Sequence, residues 1–176
     1  YYASAFDQDL GWCVDDGVSL DNAFSYSGCT STSCGVTQAD GACAPSPAPT
    51  MTPAPSATPA PTVPLDDTSI RTAVAAWLSD RAAAEALYGH ISRRGTRGVT
   101  DMSELFKSAS SFNENIGAWD TSGVTSTYRM FYRASAFNRD IGNWAVDSVK
   151  DMDTTFYEAK AFNCLLYTSP SPRDKR

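Results

Sequence analysis

Between Val99 and Asn163 the chain repeats one pattern three times, with a period of 25 residues. Val99, Val124 and Val149 recur at that spacing, as do Phe106, Phe131 and Phe156, then Ala109, Ala134 and Ala159, then Phe112, Phe137 and Phe162. Asn113, Asn138 and Asn163 close the copies, and Ile116-Gly117 with Trp119 returns as Ile141-Gly142 with Trp144. A fixed period of this size signals a solenoid, because one repeat cannot bury its apolar face alone and must stack on the next. It constrains architecture strongly and says nothing direct about a ligand.

Each copy holds two patterns. In Thr100-Asp101-Met102-Ser103-Glu104-Leu105-Phe106-Lys107, apolar Met102, Leu105 and Phe106 fall at i, i+3 and i+4. That spacing predicts a short helix, with Thr100 as N-cap and acidic residues in the first turn. The equivalent segments begin at Thr125 and Lys150. Asn115-Ile116-Gly117-Ala118-Trp119 is short and apolar and runs into Asp120-Thr121-Ser122-Gly123, a turn composition. It predicts a short strand that pairs with the same strand in neighbouring coils, about 4.8 Å away.

The string Val-Thr-Asp-Met-Ser-x-Leu-Phe, followed by Ala-x-x-Phe-Asn-x-x-Ile-Gly-x-Trp-Asp-Thr-Ser, resembles the BspA-like leucine-rich repeat family, also catalogued as the DUF285 repeat. The resemblance covers residues 99–163 almost continuously. It implies an α/β, leucine-rich-repeat-like solenoid of 25-residue repeats, with a short helix and a short strand per coil. It also implies a repeat-built surface protein of bacteria or unicellular eukaryotes, and carries no established chemistry.

Residues 1–43 read as the last coil and the C-terminal cap of an earlier array. Ala3-Ser4-Ala5-Phe6-Asp7-Gln8-Asp9-Leu10-Gly11 aligns with Ala134 to Gly142, and Val18 falls in register with Val149, but Phe24 comes one residue early. This segment holds six aspartates and no Lys or Arg, together with Cys13, Cys29, Cys34 and Cys43. Four closely spaced cysteines point to two disulfides and an oxidising compartment, with three connectivities open. Zinc is the rival, but no His lies nearby and no Cys-x-x-Cys pair exists. Asp7-Gln8-Asp9 and Asp15-Asp16 lack the further ligands of a calcium loop, and Asp7 stands where the repeat places a turn-bonding Asn.

Residues 44–64 carry eight of the ten prolines, interleaved with Ala, Ser and Thr and free of charge. Such a stretch forms an extended linker of about 3.1 Å per residue, similar in composition to O-glycosylated stalks; a bare linker is the plainer alternative. Residues 65–90 read as a helical cap on the repeats at 91–163. Asp66-Asp67-Thr68-Ser69 starts it, Ile70, Val74, Trp77 and Leu78 recur at helical spacing, and Gly89 stops it. One bent helix or two short ones fit, and terminal units of solenoids are atypical caps. His90 is the only histidine; a lone His acts as a general base only with an activating partner and a nucleophile nearby, and its place at a helix-to-strand junction points to a structural or exposed role. Arg93, Arg94 and Arg97 form the densest basic cluster, and Arg94 stands where Trp119 and Trp144 stand. After Asn163 the period breaks, and residues 164–176 resemble a translated sequencing adapter, a processing scar outside the fold.

A net charge of −6 argues against general affinity for nucleic acid or anionic membranes, and no apolar run reaches the roughly 20 residues of a membrane span. Phosphate-binding glycine loops, nucleophile elbows and paired metal-ligand motifs are absent from the sequence, so neither enzyme nor cofactor is expected. The expectation is a secreted or cell-surface repeat protein for adhesion or recognition of protein or glycan. The alternative is a wall or matrix component whose arrays are spacers. Non-core positions beside Ile116 and Ile141 vary between copies, so Asn115, Ala118, Arg139, Asp140 and Asn143 form the candidate ligand face.

Overall fold

A computed structural model describes residues 10–27, 34–39 and 65–162 of the chain. Cys29, Cys43, the segment 44–64, Asn163 and the tail at 164–176 lie outside the described residues. The elements in order are β1 (Cys13–Asp15), β2 (Thr37–Ala39), α1 (Asp67–Ser79) and α2 (Arg81–Tyr88), with a single 3-10 turn at Ile91–Arg93.

The cap residues fold as two helices because each start is sealed by an aspartate. Asp66 accepts from the backbone N–H of Thr68 and Ser69, while the Ser69 hydroxyl accepts from the Asp66 N–H, a reciprocal capping box. Asp80 ends α1 and caps α2 through the Ala83 N–H. Gly89, at φ +72°, closes α2 in a conformation that favours glycine. α1 buries Ile70, Ala73, Val74 and Trp77, and Ile70, Val74 and Trp77 join the same core cluster as the repeat units.

The repeat units begin at Val99, Val124 and Val149, and equivalent residues lie directly across from one another. Phe106, Phe131, Phe156 and Phe24 form one column of near-parallel rings at successive centroid distances of 5.4, 5.4 and 5.3 Å. Phe112, Phe137 and Phe162 form a second at 5.9 and 5.8 Å, and the columns touch within each unit at 4.0 to 4.2 Å. Every member is buried, and burying a ring of this size is worth roughly 1.5–3 kcal/mol.

The segments expected to be helical are ribbons of tight turns. Two non-glycine residues per unit stand at positive φ, four apart: Glu104 and Ser108, Arg129 and Arg133, Thr154 and Glu158. Each such residue costs on the order of 1–2 kcal/mol. The compensation is a ladder. Met102, Glu104, Phe106 and Ser108 donate backbone N–H bonds to the carbonyls of Ser126, Tyr128, Met130 and Tyr132. Thr127, Arg129, Phe131 and Arg133 donate in turn to Asp151, Asp153, Thr155 and Tyr157. Residues between them close i to i−3 turns within their own unit, such as Lys107 to Glu104 and Ala109 to Phe106. A turn ribbon keeps Met102, Leu105 and Phe106 buried as the i, i+3, i+4 spacing requires, and turns half its N–H groups toward the next unit, which a helix cannot do.

The expected strand at 115–119 is likewise a turn. Trp119 N–H donates to Ile116 O, and the parallel bridges between units fall instead at Asp101, Ser126 and Asp151. Asn115 Oδ1 accepts from Gly117 N–H, an Asx closure that bends the chain out of a strand path. Gly117 is needed because a Cβ there would come within 2.5 Å of Asp140 O in the next unit.

The described parts of the acidic segment, 10–27 and 34–39, are seated at the third unit. Met152, Thr154, Phe156 and Glu158 donate to the carbonyls of Ser19, Asp21, Ala23 and Ser25. Trp12 stacks on Trp144 at 6.4 Å and 10°, and β1 pairs parallel with β2 at the outer side. Val18 repeats the turn of Val149, donating to Asp15 O as Val149 does to Val146 O. Ser19 then bridges Asp151, so the residue matching Lys150 is simply missing, which is why Phe24 comes early and still stacks.

Candidate binding surface

The turn ribbon lines up side chains at equal positions, and at the outer ones the second and third units place tyrosine and arginine. Tyr132 and Tyr157 stack face to face at 4.9 Å and 7°, and Tyr26 of the acidic segment meets Tyr157 edge-on at 5.4 Å and 72°. Arg129 lies over Tyr128 and Tyr132 at 4.8 and 5.6 Å, and Arg133 over Tyr132 at 5.1 Å. Arg133 pairs with Glu158 at 2.8 Å, a contact that pushes its pKa up. Desolvation by the packed neighbours and the charge of Glu158 push the Tyr157 phenol up. Lys107 pairs with Glu104 at 2.7 Å. The result is an aromatic ridge with a charged fringe, continuous over three levels.

The expected ligand residues lie elsewhere. Asn115, Ala118, Arg139, Asp140 and Asn143 are all exposed, and Asn115 with Asp140 and Ala118 with Asn143 occupy equal positions in adjacent units. Asn115 and Asp140 are committed to closing turns, through Gly117 N–H and Gly142 N–H. Arg139 donates through Nε to Asn113 O at 2.7 Å. Turn closure and backbone support account for these three side chains without a ligand.

Both ends of the stack are built for the ladder's polarity. Along the middle of each ribbon, alternate carbonyls point toward the α1 end and alternate N–H groups toward the acidic segment, while at its start Thr125 and Lys150 donate the other way, to Thr100 O and Thr125 O. At the α1 end Arg71 donates to Ser103 O at 2.6 Å and Asp101 O at 3.3 Å and pairs with Asp101 at 2.8 Å. Asp67 accepts from Thr100 N–H, Asp101 N–H and the Thr100 hydroxyl. These bonds, led by the one from Asp101, hold its carboxyl below the usual range. Parallel peptide units sum their dipoles as a helix does, which favours a cation at the carbonyl end and acids at the N–H end. Arg71 and the acidic segment fit that order.

His90 contacts the Ser92 hydroxyl through Nδ1 at 2.8 Å and Arg81 through Nε2 at 3.3 Å, and its ring meets Trp77 edge-on at 5.0 Å. Its ring packs against α1 of the cap at Trp77. Arg94, buried at the Trp position, donates to Gly89 O at 3.2 Å and lies over Tyr88 at 5.2 Å; burial pushes its pKa down. Cys13 and Cys34 are disulfide-bonded. Among the described residues no group of three or more His, Cys, Asp or Glu converges as a metal site, and no helix is long and apolar enough to cross a membrane.

The tyrosine ridge carries a weak sequence signal, since Tyr132 and Tyr157 replace Lys107 at a variable position. Only the register of the acidic segment brings Tyr26 to join them. A family model described as "Mycoplasma protein of unknown function, DUF285" matches residues 78–168, a span that takes in α2 and all three repeat units. Comparison with curated proteins and with solved structures finds no match.

Proposed function

The chain belongs to the DUF285 family, and from that premise we propose a non-enzymatic repeat protein of the cell surface or secreted space that recognises a protein or glycan. Its stacked units form a leucine-rich-repeat-like solenoid whose side is the working surface. The observation that carries this reading is the ridge of Tyr132, Tyr157 and Tyr26 fringed by Arg129 and Arg133. Tyr and Arg supply large rigid contact area with a polar handle, and they are the residues over-represented at binding hot spots. Disulfides persist in oxidising compartments, so the bonds at Cys13 and Cys34 support the extracellular address. The rigidity of a ladder with four bonds per junction favours a second reading, in which the array is a spacer in a wall or matrix.

Surface-plasmon measurements against extracellular-matrix proteins and cell-surface glycans separate the two. Saturable binding that weakens about tenfold or more in Tyr132→Ala and Arg129→Ala supports recognition by the ridge. Absence of any saturable binding leaves the spacer reading.

A further inference from the structure

We propose that the end of the stack formed by the acidic segment binds a neutral oligosaccharide, through the Tyr26 ring and the backbone N–H groups of Leu20, Asn22, Phe24 and Tyr26. The inference rests on the recognition reading and assigns a ligand class to one end of the ridge.

The donors follow from the ladder. Ser19, Asp21, Ala23 and Ser25 turn their carbonyls to the third unit, so the same peptide groups point the N–H of Leu20, Asn22, Phe24 and Tyr26 the other way. None of these four has a hydrogen-bond partner among the described residues. The edge therefore offers donors only. An ordinary β-strand offers N–H and C=O in alternation along its edge, so a strand laid here would set donors against donors. A sugar avoids this mismatch, because hydroxyl oxygens accept from any N–H and their own protons rotate to suit.

Tyr26 supplies the apolar half of such a site. It is 74% exposed, whereas Tyr132 is covered by Tyr157 and by the guanidinium groups of Arg129 and Arg133. Its tilt of 72° to Tyr157 breaks the face-to-face stack and leaves the ring free for the C–H face of a pyranose. Asn22 and Tyr26 stand at φ +53° and +56°, which fixes the donor row and the ring relative to each other. Charge then chooses the class of sugar. The described acidic segment carries Asp15, Asp16 and Asp21, and residues 1–43 hold no Lys or Arg, so uronate, sialyl or sulfated chains are repelled while the carboxylates accept from neutral hydroxyls.

The test uses the full chain and short neutral gluco-, galacto- and manno-oligosaccharides, with uronate oligomers in parallel. Expected is saturable binding of at least one neutral oligomer, weakened about tenfold or more by Tyr26→Ala and kept by Tyr26→Phe. Titration should move the amide resonances of Leu20, Asn22, Phe24 and Tyr26 and leave those of Met102 and Phe106 in place. Because Tyr26 is exposed, Tyr26→Ala should leave the unfolding midpoint unchanged, so lost binding is not lost fold. The site is overturned by neutral-sugar binding that ignores Tyr26→Ala, by uronate binding of equal strength, or by no sugar binding at all. If protein binding through Tyr132 and Arg129 persists in that last case, the ridge stands and the sugar site falls. If neither is seen, both fall.

Discussion

Three indoles stand in similar positions with three different hydrogen-bond states, and replacing each by phenylalanine should give three different energies. Trp119 Nε1 donates to Ile91 O at 2.9 Å, and that buried carbonyl has no other donor among the described residues. Trp144 Nε1 donates to Ile116 O at 3.2 Å, which also accepts the Trp119 backbone N–H. Trp12 follows Leu10 by two residues where Trp144 follows Ile141 by three, and its buried Nε1 has no partner among the described residues. Losing the indole's extra carbons costs about 1 kcal/mol in every case at roughly 25 cal/mol per Å². Trp119→Phe adds a carbonyl left unsatisfied, about 1–3 kcal/mol, for a loss of about 2–4 in all. Trp144→Phe adds only a net hydrogen bond, about 0.5–1.5 kcal/mol. Trp12→Phe removes an unpaired donor that itself costs about 1–3 kcal/mol, so it should be neutral to stabilising. Urea titrations of the three variants measure the order directly. Equal losses, or a Trp12→Phe loss as large as that of Trp119→Phe, would refute this assignment of the indole nitrogens.

Phe131→Ala should cost roughly 3–5 kcal/mol, because the fully buried ring touches Phe106, Phe156, Phe137 and Trp144; a loss below about 0.5 kcal/mol in a urea titration would place it at the surface. Thr154 is β-branched at φ +53° with a buried, unpaired hydroxyl, so Thr154→Asn should raise stability by about 1 kcal/mol, and a fall would argue against the left-handed backbone there. The Asp67 carboxyl is held below its usual pKa, so its contribution is complete above the unfolded value of about 3.9 and is lost as pH falls through the folded one. Unfolding midpoints should therefore fall below about pH 4, and fall less in Asp67→Asn; identical acid profiles would remove Asp67 from the cap's function.

What the sequence revealed was the set of buried positions. Val99, Phe106, Phe112, Ile116 and Trp119 were readable from their period and Met102 from its spacing to Leu105 and Phe106, and all are buried. Backbone form was not readable, for a physical reason. The i, i+3, i+4 spacing of Met102, Leu105 and Phe106 suits a helix and a turn ribbon alike. The residues that decide between them are Glu104 and Ser108, Arg129 and Arg133, whose types give no hint of positive φ. Glycine or asparagine there would have announced it, and Asn22 alone does. The strand at 115–119 misled because Ile116-Gly117-Ala118-Trp119 has strand composition, while Asn115 closes a turn that composition does not show. The seat of the acidic segment was half visible. Val18 and Phe24 each match the repeat, but a missing residue between them hid that both match at once. Tyr26 joins Tyr157 only through that seat, which is why the ridge could not be read in sequence order.

Amide hydrogen exchange tests the ladder most directly, because its polarity gives alternate amides a partner in the next unit and the amides between them only a turn within their own unit. Thr127, Arg129, Phe131 and Arg133 should exchange slowly, and so should Met152, Thr154, Phe156 and Glu158, which are protected only if the acidic segment sits on the third unit. Exposed Asn22 and Tyr26, at the same repeat positions as Thr154 and Glu158, should exchange fast. Fast exchange at Met152, Thr154, Phe156 and Glu158, or equal protection at Asn22 and Tyr26, would contradict the seat of the acidic segment and the direction of the stack.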